Sequence, residues 1–122
     1  MNAWMCGRSY DDPTGDSNFT TPDQDSSLTF ILFRKEGQIR SPSQTWCLVD
    51  EDGSTINDSM FVVDVGPANR ISDIPTTRHG GSYELTFADS HIEQMKWLAS
   101  PSDWMDGSPD WQKLQSLTTV KR

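Results

Sequence analysis

The chain is short of the residues that most often carry chemistry. It has two histidines and two cysteines, Cys6 and Cys47, in 122 residues. With no Cys-x-x-Cys pair and no Cys/His cluster, a structural zinc site is not expected. Basic residues are the minority, ten Lys and Arg against eighteen Asp and Glu, for a net charge of −8. A surface of that sign repels phosphate backbones and anionic lipid, so neither nucleic acid nor a membrane surface is an expected partner. The longest apolar run, "LTFILF" at 28–33, is far short of the ~20 residues a membrane span requires. The start, "MNAWMCGRSYDDP", lacks the basic beginning and apolar middle of an export signal. Any leader or anchor is therefore expected to have been removed, or never to have been present. Neither a GxSxG elbow, a P-loop, an HExxH pair nor a dinucleotide fingerprint occurs, so the sequence does not argue for an enzyme.

Length supports one domain over 1–122. Only 34% of residues are hydrophobic and the mean hydropathy is −0.64, which predicts a thin core and long surface loops. Residues 7–27, rich in Asp, Ser, Thr, Pro and Gly, read as a long loop containing a sequon at Asn18. A second sequon starts at Asn57, and both read as chance matches. The run at 28–33 fits a strand or a short helix. "RSPSQ" at 40–44 is a turn, "TWCLVDE" at 45–51 a strand, and "SMFVVDV" at 59–65 a second strand. Together they predict a hairpin over 45–65. Residues 66–81 read as loop. Two readings stand for Cys6 and Cys47: a disulfide, stabilising by about 3–4 kcal/mol through loop closure, or two reduced thiols with Cys47 in a strand.

The most informative stretch is "RHGGSYELTFADSHIEQMKW" at 78–97. Tyr83, Leu85 and Phe87 alternate with Glu84 and Thr86, the period of a strand. "HIEQMKW" follows as its partner, and the chain reverses at Asp89 and Ser90. Asp suits the first central position of a tight turn, whereas Ser90 takes a place where positive φ favours Gly, at a cost of about 1 kcal/mol. "SPDWQKLQSLTT" reads as a short C-terminal helix capped by Ser108, with Pro109 at its first position and Trp111, Leu114 and Leu117 on one face.

Three groups are chemical candidates. His79, Asp89, His91 and Glu93 surround the hairpin, and a metal-hydrolase reading would need His79, Asp89 and His91 around one ion. Ten residues of strand span about 30 Å at ~3.3 Å each, so the hairpin keeps His79 and Asp89 apart. They then serve structure, Asp89 by bonding turn amides. Asp50, Glu51, Asp52, Asn57 and Asp58 offer oxygen ligands suited to Ca²⁺, without the spacing of an EF-hand. The other reading is a solvated acidic turn, and Asp103, Asp106 and Asp110 form a similar cluster. Of the five tryptophans, Trp46, Trp97 and Trp111 fall on faces that need a core. Trp4 and Trp104 remain as a carbohydrate-stacking pair.

The motifs "STINDSMF" at 54–61, His79 and Asp89 with nine residues between them, "FADSHIEQMKW" at 87–97 and "LQSLTT" at 114–119 resemble type II secretion pseudopilin-like (prepilin-type) proteins of Planctomycetes and Verrucomicrobia. The family pattern is "SINDG-F", then "RHGGG…FADGH-E-W-W", with a His, nine residues, Asp-Gly signature and an "LQ…TT" tail. "SPSQTWCLVDE" and "MNAW" resemble further family segments, so the likeness covers most of the chain. Ser90 and Ser59 stand where the family has Gly, which places a β-carbon at two positions of expected positive φ. The resemblance implies an α+β, pilin-like globular domain with an antiparallel β-sheet, long loops and a short C-terminal helix. It also implies a membrane-anchoring N-terminal hydrophobic helix that this chain lacks. The implied role is structural and non-catalytic, as a subunit beside other pseudopilin subunits in a type II secretion or type IV pilus-like filament. The implied place is the cell envelope, periplasmic or extracellular, with membrane contact only through the missing helix. Calcium in the C-terminal loops is a further implication, with no ligand matched residue by residue. An exported carbohydrate-binding β-rich module is the alternative.

Overall fold

The computed structural model describes residues 1–2, 33, 35–63, 73–104 and 107–118. The loop at 7–27, most of the 28–33 run, Trp4, Cys6, the sequon at Asn18, Asp106 and the end of the expected strand at 64–65 lie outside the described residues. Among those described, the sheet has three antiparallel strands in the order β1 (Trp46–Val49), β2 (Ser82–Phe87) and β3 (Ile92–Lys96), followed by one helix, α1 (Pro109–Ser116). This is a small α+β fold. Single 3₁₀ turns at Glu36–Gln38, Pro42–Gln44 and Pro101–Asp103 join the pieces.

The alternation in β2 sets the inside of the sheet. Tyr83, Leu85 and Phe87 are buried, and Trp46 opposite Phe87 and Val49 opposite Leu85 extend the same face into β1. Helix α1 closes over it with Trp111 and Leu114. Ser108 caps the helix by accepting the Trp111 N–H at 3.3 Å, and Pro109 occupies the first turn, where no N–H is needed. The aromatic rings run through the core edge to face. Tyr83 meets Trp97 at 5.3 Å between centroids, Trp97 meets Trp104 at 5.4 Å, and Trp104 meets Trp111 at 5.2 Å. Each such pair contributes about 0.5–1.5 kcal/mol beyond the area it buries. The chain with 34% apolar residues thus builds its core from a few large rings.

Two buried polar side chains tie the periphery to that core. The Asn2 amide donates to the carbonyls of Trp46 (2.8 Å) and Thr118 (3.1 Å), joining the start of the chain, β1 and the end of α1. Asp110, buried in the first turn of α1, accepts the N–H groups of Leu98 (2.7 Å) and Ala99 (2.9 Å), which locks the exit of β3 to the helix. A carboxylate there also complements the helix dipole.

The expected hairpin over 45–65 does not form. The partner of β1 is β2, and Phe61 instead bridges Asn2 in parallel. Local side-chain bonds divert the intervening chain: Asp52 accepts the Ser54 N–H, and Asp58 accepts the Met60 N–H at 2.6 Å. Such Asx turns replace the two-residue reversal a hairpin needs. Phe61 and Val63 are apolar because they enter the core. The extension of β1 pairs with 74–76 instead, through Asp52 N–H to Ile74 O and Thr76 N–H to Asp50 O, both 2.8 Å.

The β2–β3 hairpin forms as expected, with a shifted turn. The Ser90 N–H reaches Phe87 O and the Phe87 N–H reaches His91 O, each at 2.9 Å. The turn centre is therefore Ala88–Asp89, one residue earlier than expected, and Ser90 follows it at φ 75°. This is the three-residue loop in which the last residue takes the left-handed conformation. Ser90 bears the expected strain, whereas Ser59 does not: among the described non-glycine residues only Ser90 has positive φ.

Candidate functional site

The folded hairpin separates the two histidines. His79 sits in the turn before β2, where its Nε2 lies 2.9 Å from Asp50 Oδ2. Asp89 and His91 sit beyond the other end of β2. His79, Asp89 and His91 therefore do not surround one ion, and the metal-hydrolase reading loses its geometry. Among the described residues no group of three or more His, Cys, Asp or Glu is gathered to hold a metal ion.

What the tip does gather is one imidazole and two carboxylates. His91 Nδ1 bonds Asp89 Oδ1, and Nε2 lies 3.2 Å from Glu93 Oε1. Asp89 Oδ1 also accepts the His91 N–H at 3.2 Å. The ring stacks on Phe87 with centroids 4.3 Å apart and planes 7° from parallel. The hydrogen bond to Asp89 is the largest cause that raises the His91 pKa, with Glu93 adding to it. Its counterpart lowers that of Asp89. Sequence reasoning placed Asp89 in the turn, bonding turn amides. It did not foresee that one ring would join the two carboxylates.

The five oxygen-bearing residues of the acidic turn do not converge. Asp50 is turned to His79, Glu51 accepts the Thr55 hydroxyl at 3.0 Å, Asp52 binds Ser54, Asp58 binds the Met60 amide, and Asn57 is exposed. As folded, these residues do not fit a calcium site. A residue the sequence reading missed adds to the local charge. Asp73, buried, accepts the Val62 N–H at 2.5 Å. Burial raises its pKa, and Asp58 raises it further. Glu51 is raised first by burial and then by the charges of Asp73 and Asp58. No periodic or motif signal marks Asp73, since only the fold brings 73 beside 51 and 58.

Trp104, expected as half of a carbohydrate platform, is 8% exposed, sits between Trp97 and Trp111, and donates its indole N–H to Asp73 O at 3.1 Å. Its burial among these rings removes it as a stacking surface. Cys47 is a half-buried free thiol, its pKa raised by burial and then by Asp89, so it is not an activated nucleophile.

The face of the sheet opposite the core is more distinctive. Leu48 on β1 is in register with Thr86 on β2, and Thr86 with Ile92 on β3. Leu48 is 51% and Ile92 65% exposed, so two large aliphatic side chains flank a threonine in one row across all three strands. Comparison with protein families, curated proteins and solved structures yields no match to this chain.

Proposed function

We propose that this chain is a non-catalytic assembly domain, the globular part of a pseudopilin-like subunit of an envelope filament. The observation that carries the reading is the Leu48–Thr86–Ile92 row. An aliphatic row held across three paired strands and left to solvent suits contact with another protein subunit. The candidate chemical groups are meanwhile bonded locally, in the Asp89–His91–Glu93 tip, the His79–Asp50 pair and the acidic turn. The resemblance of "STINDSMF", "FADSHIEQMKW" and "LQSLTT" to pseudopilin-like proteins supplies the kind of assembly. On this reading the domain belongs to the cell envelope, periplasmic or extracellular, beside other subunits of its kind.

The test is to express the protein from its natural locus, with whatever reading frame precedes Met1, and to isolate surface filaments by shearing. The chain should be recovered in the filament fraction. Leu48→Asp with Ile92→Asp should abolish that recovery while the isolated domain keeps its circular dichroism and melting temperature. Recovery of the unaltered protein only as a soluble monomer, behind a cleaved signal peptide, would overturn the reading.

A further inference from the structure

An imidazole that meets a different carboxylate at each ring nitrogen can satisfy both only as a double donor, and only the imidazolium has two N–H groups. His91 is in that position, with Asp89 at Nδ1 and Glu93 at Nε2. We propose that the β2–β3 turn is a proton-dependent clamp: the imidazolium of His91 ties the turn residue Asp89 to Glu93 on β3, and loss of its proton releases one of the two. This inference goes beyond the assembly reading and does not depend on it.

Among the described residues little else titrates against the ring. From the turn comes Asp89, from β3 Glu93, and from β2 the face of Phe87, which favours a cation stacked on it. From β1 comes Cys47, whose thiol is held neutral by burial and by Asp89. The segment 41–45, whose Pro42 and Thr45 carbonyls take the Ala88 N–H at 3.1 and 2.9 Å, contributes only Ser, Pro, Gln and Thr. Among the described residues the charges that bear on His91 are those of Asp89 and Glu93, and both favour its charged form.

The clamp acts where the backbone is strained. Ser90 holds φ 75° between Asp89 and His91. The two hydrogen bonds that close the turn, Ser90 N–H to Phe87 O and Phe87 N–H to His91 O, join residues within the bridged span to Phe87, the residue on which the ring stacks. With His91 protonated the turn is braced. Above its pKa, the neutral ring donates through one nitrogen only, and the carboxylate on the other side faces a lone pair.

Proton NMR of the whole chain tests this. With two histidines in the sequence, a His91→Gln variant assigns the His91 ring signal. In the unaltered protein that signal should titrate above the ordinary value of about 6.5. Asp89→Asn and Glu93→Gln should each move it down, Asp89→Asn the more. Amide protection factors at Phe87 and Ser90 should fall as pH rises through the His91 titration, and should lose that dependence in His91→Gln. A His91 signal at or below the ordinary value, or protection factors indifferent to its titration, would overturn the proposal. Because each variant changes an exposed side chain, folding can be verified independently by its circular dichroism.

Discussion

The hairpin tip and the seam between β3 and α1 are built around the same device, an aspartate accepting from backbone amides close to an aromatic ring. At the seam, Asp110 is buried, holds two N–H groups and lies near Tyr83, whose hydroxyl pKa is raised by burial and by this carboxylate. At the tip, Asp89 is exposed and holds one N–H and the His91 ring. Removing an acceptor from a buried donor imposes a desolvation cost, whereas at the surface water takes its place. Matching motifs therefore make the seam a determinant of stability and leave the tip free to respond to its medium.

The comparison is broken most forcefully within the seam. Trp111→Ala deletes a ring at the centre of the core and is expected to cost about 3–5 kcal/mol, measured by urea unfolding. A cost near zero would mean that α1 does not close the core. Asp110→Ala takes the acceptor from the partly buried Leu98 and Ala99 amides and should cost about 1–3 kcal/mol. Asp89→Ala at the exposed tip should cost much less, and equal losses would erase the distinction between the two regions. Ser90→Gly relieves the positive φ and is expected to stabilise by about 1 kcal/mol, read as a rise in melting temperature.

The response of the tip to pH should be smaller still, because its ion pairs are exposed. The stabilisation from His91, whose folded pKa is raised, is fully present below its unfolded pKa and is lost as pH rises through the folded one. That from Asp89, whose folded pKa is lowered, is present above its unfolded pKa and is lost as pH falls through the folded one. The contribution of the tip should thus peak between the two, with His91→Gln flattening the alkaline side of a melting-temperature profile. Least of all is expected from calcium. The acidic turn as folded should give no shift between millimolar Ca²⁺ and EDTA. A gain of about 2.7 kcal/mol, as binding at a hundredfold excess over Kd would produce, would show that Glu51, Asp58 and their neighbours regroup around the ion.

Local patterns in the chain were enough to define β2, β3, their reversal and the capped helix. A period of two, a turn aspartate and a Ser-Pro cap act between residues a few positions apart, so their physics is complete in short windows. The strain at Ser90 was legible for the same reason, although the turn centre lay one residue earlier. Pairing across long separations was not legible. β1 chose Phe87 and Leu85 over the nearer Phe61 because Trp46 and Val49 bury on the β2 side, a choice settled by packing rather than by proximity along the chain. Trp104 and Asp73 follow the same logic. An indole in a polar, turn-rich segment gave no sign that two other rings would enclose it, and a lone aspartate gave none that it would lie beside Glu51 and Asp58. Burial is a property of the assembled core, and in this molecule it separates the side chains that hold the fold from those left to respond to solvent.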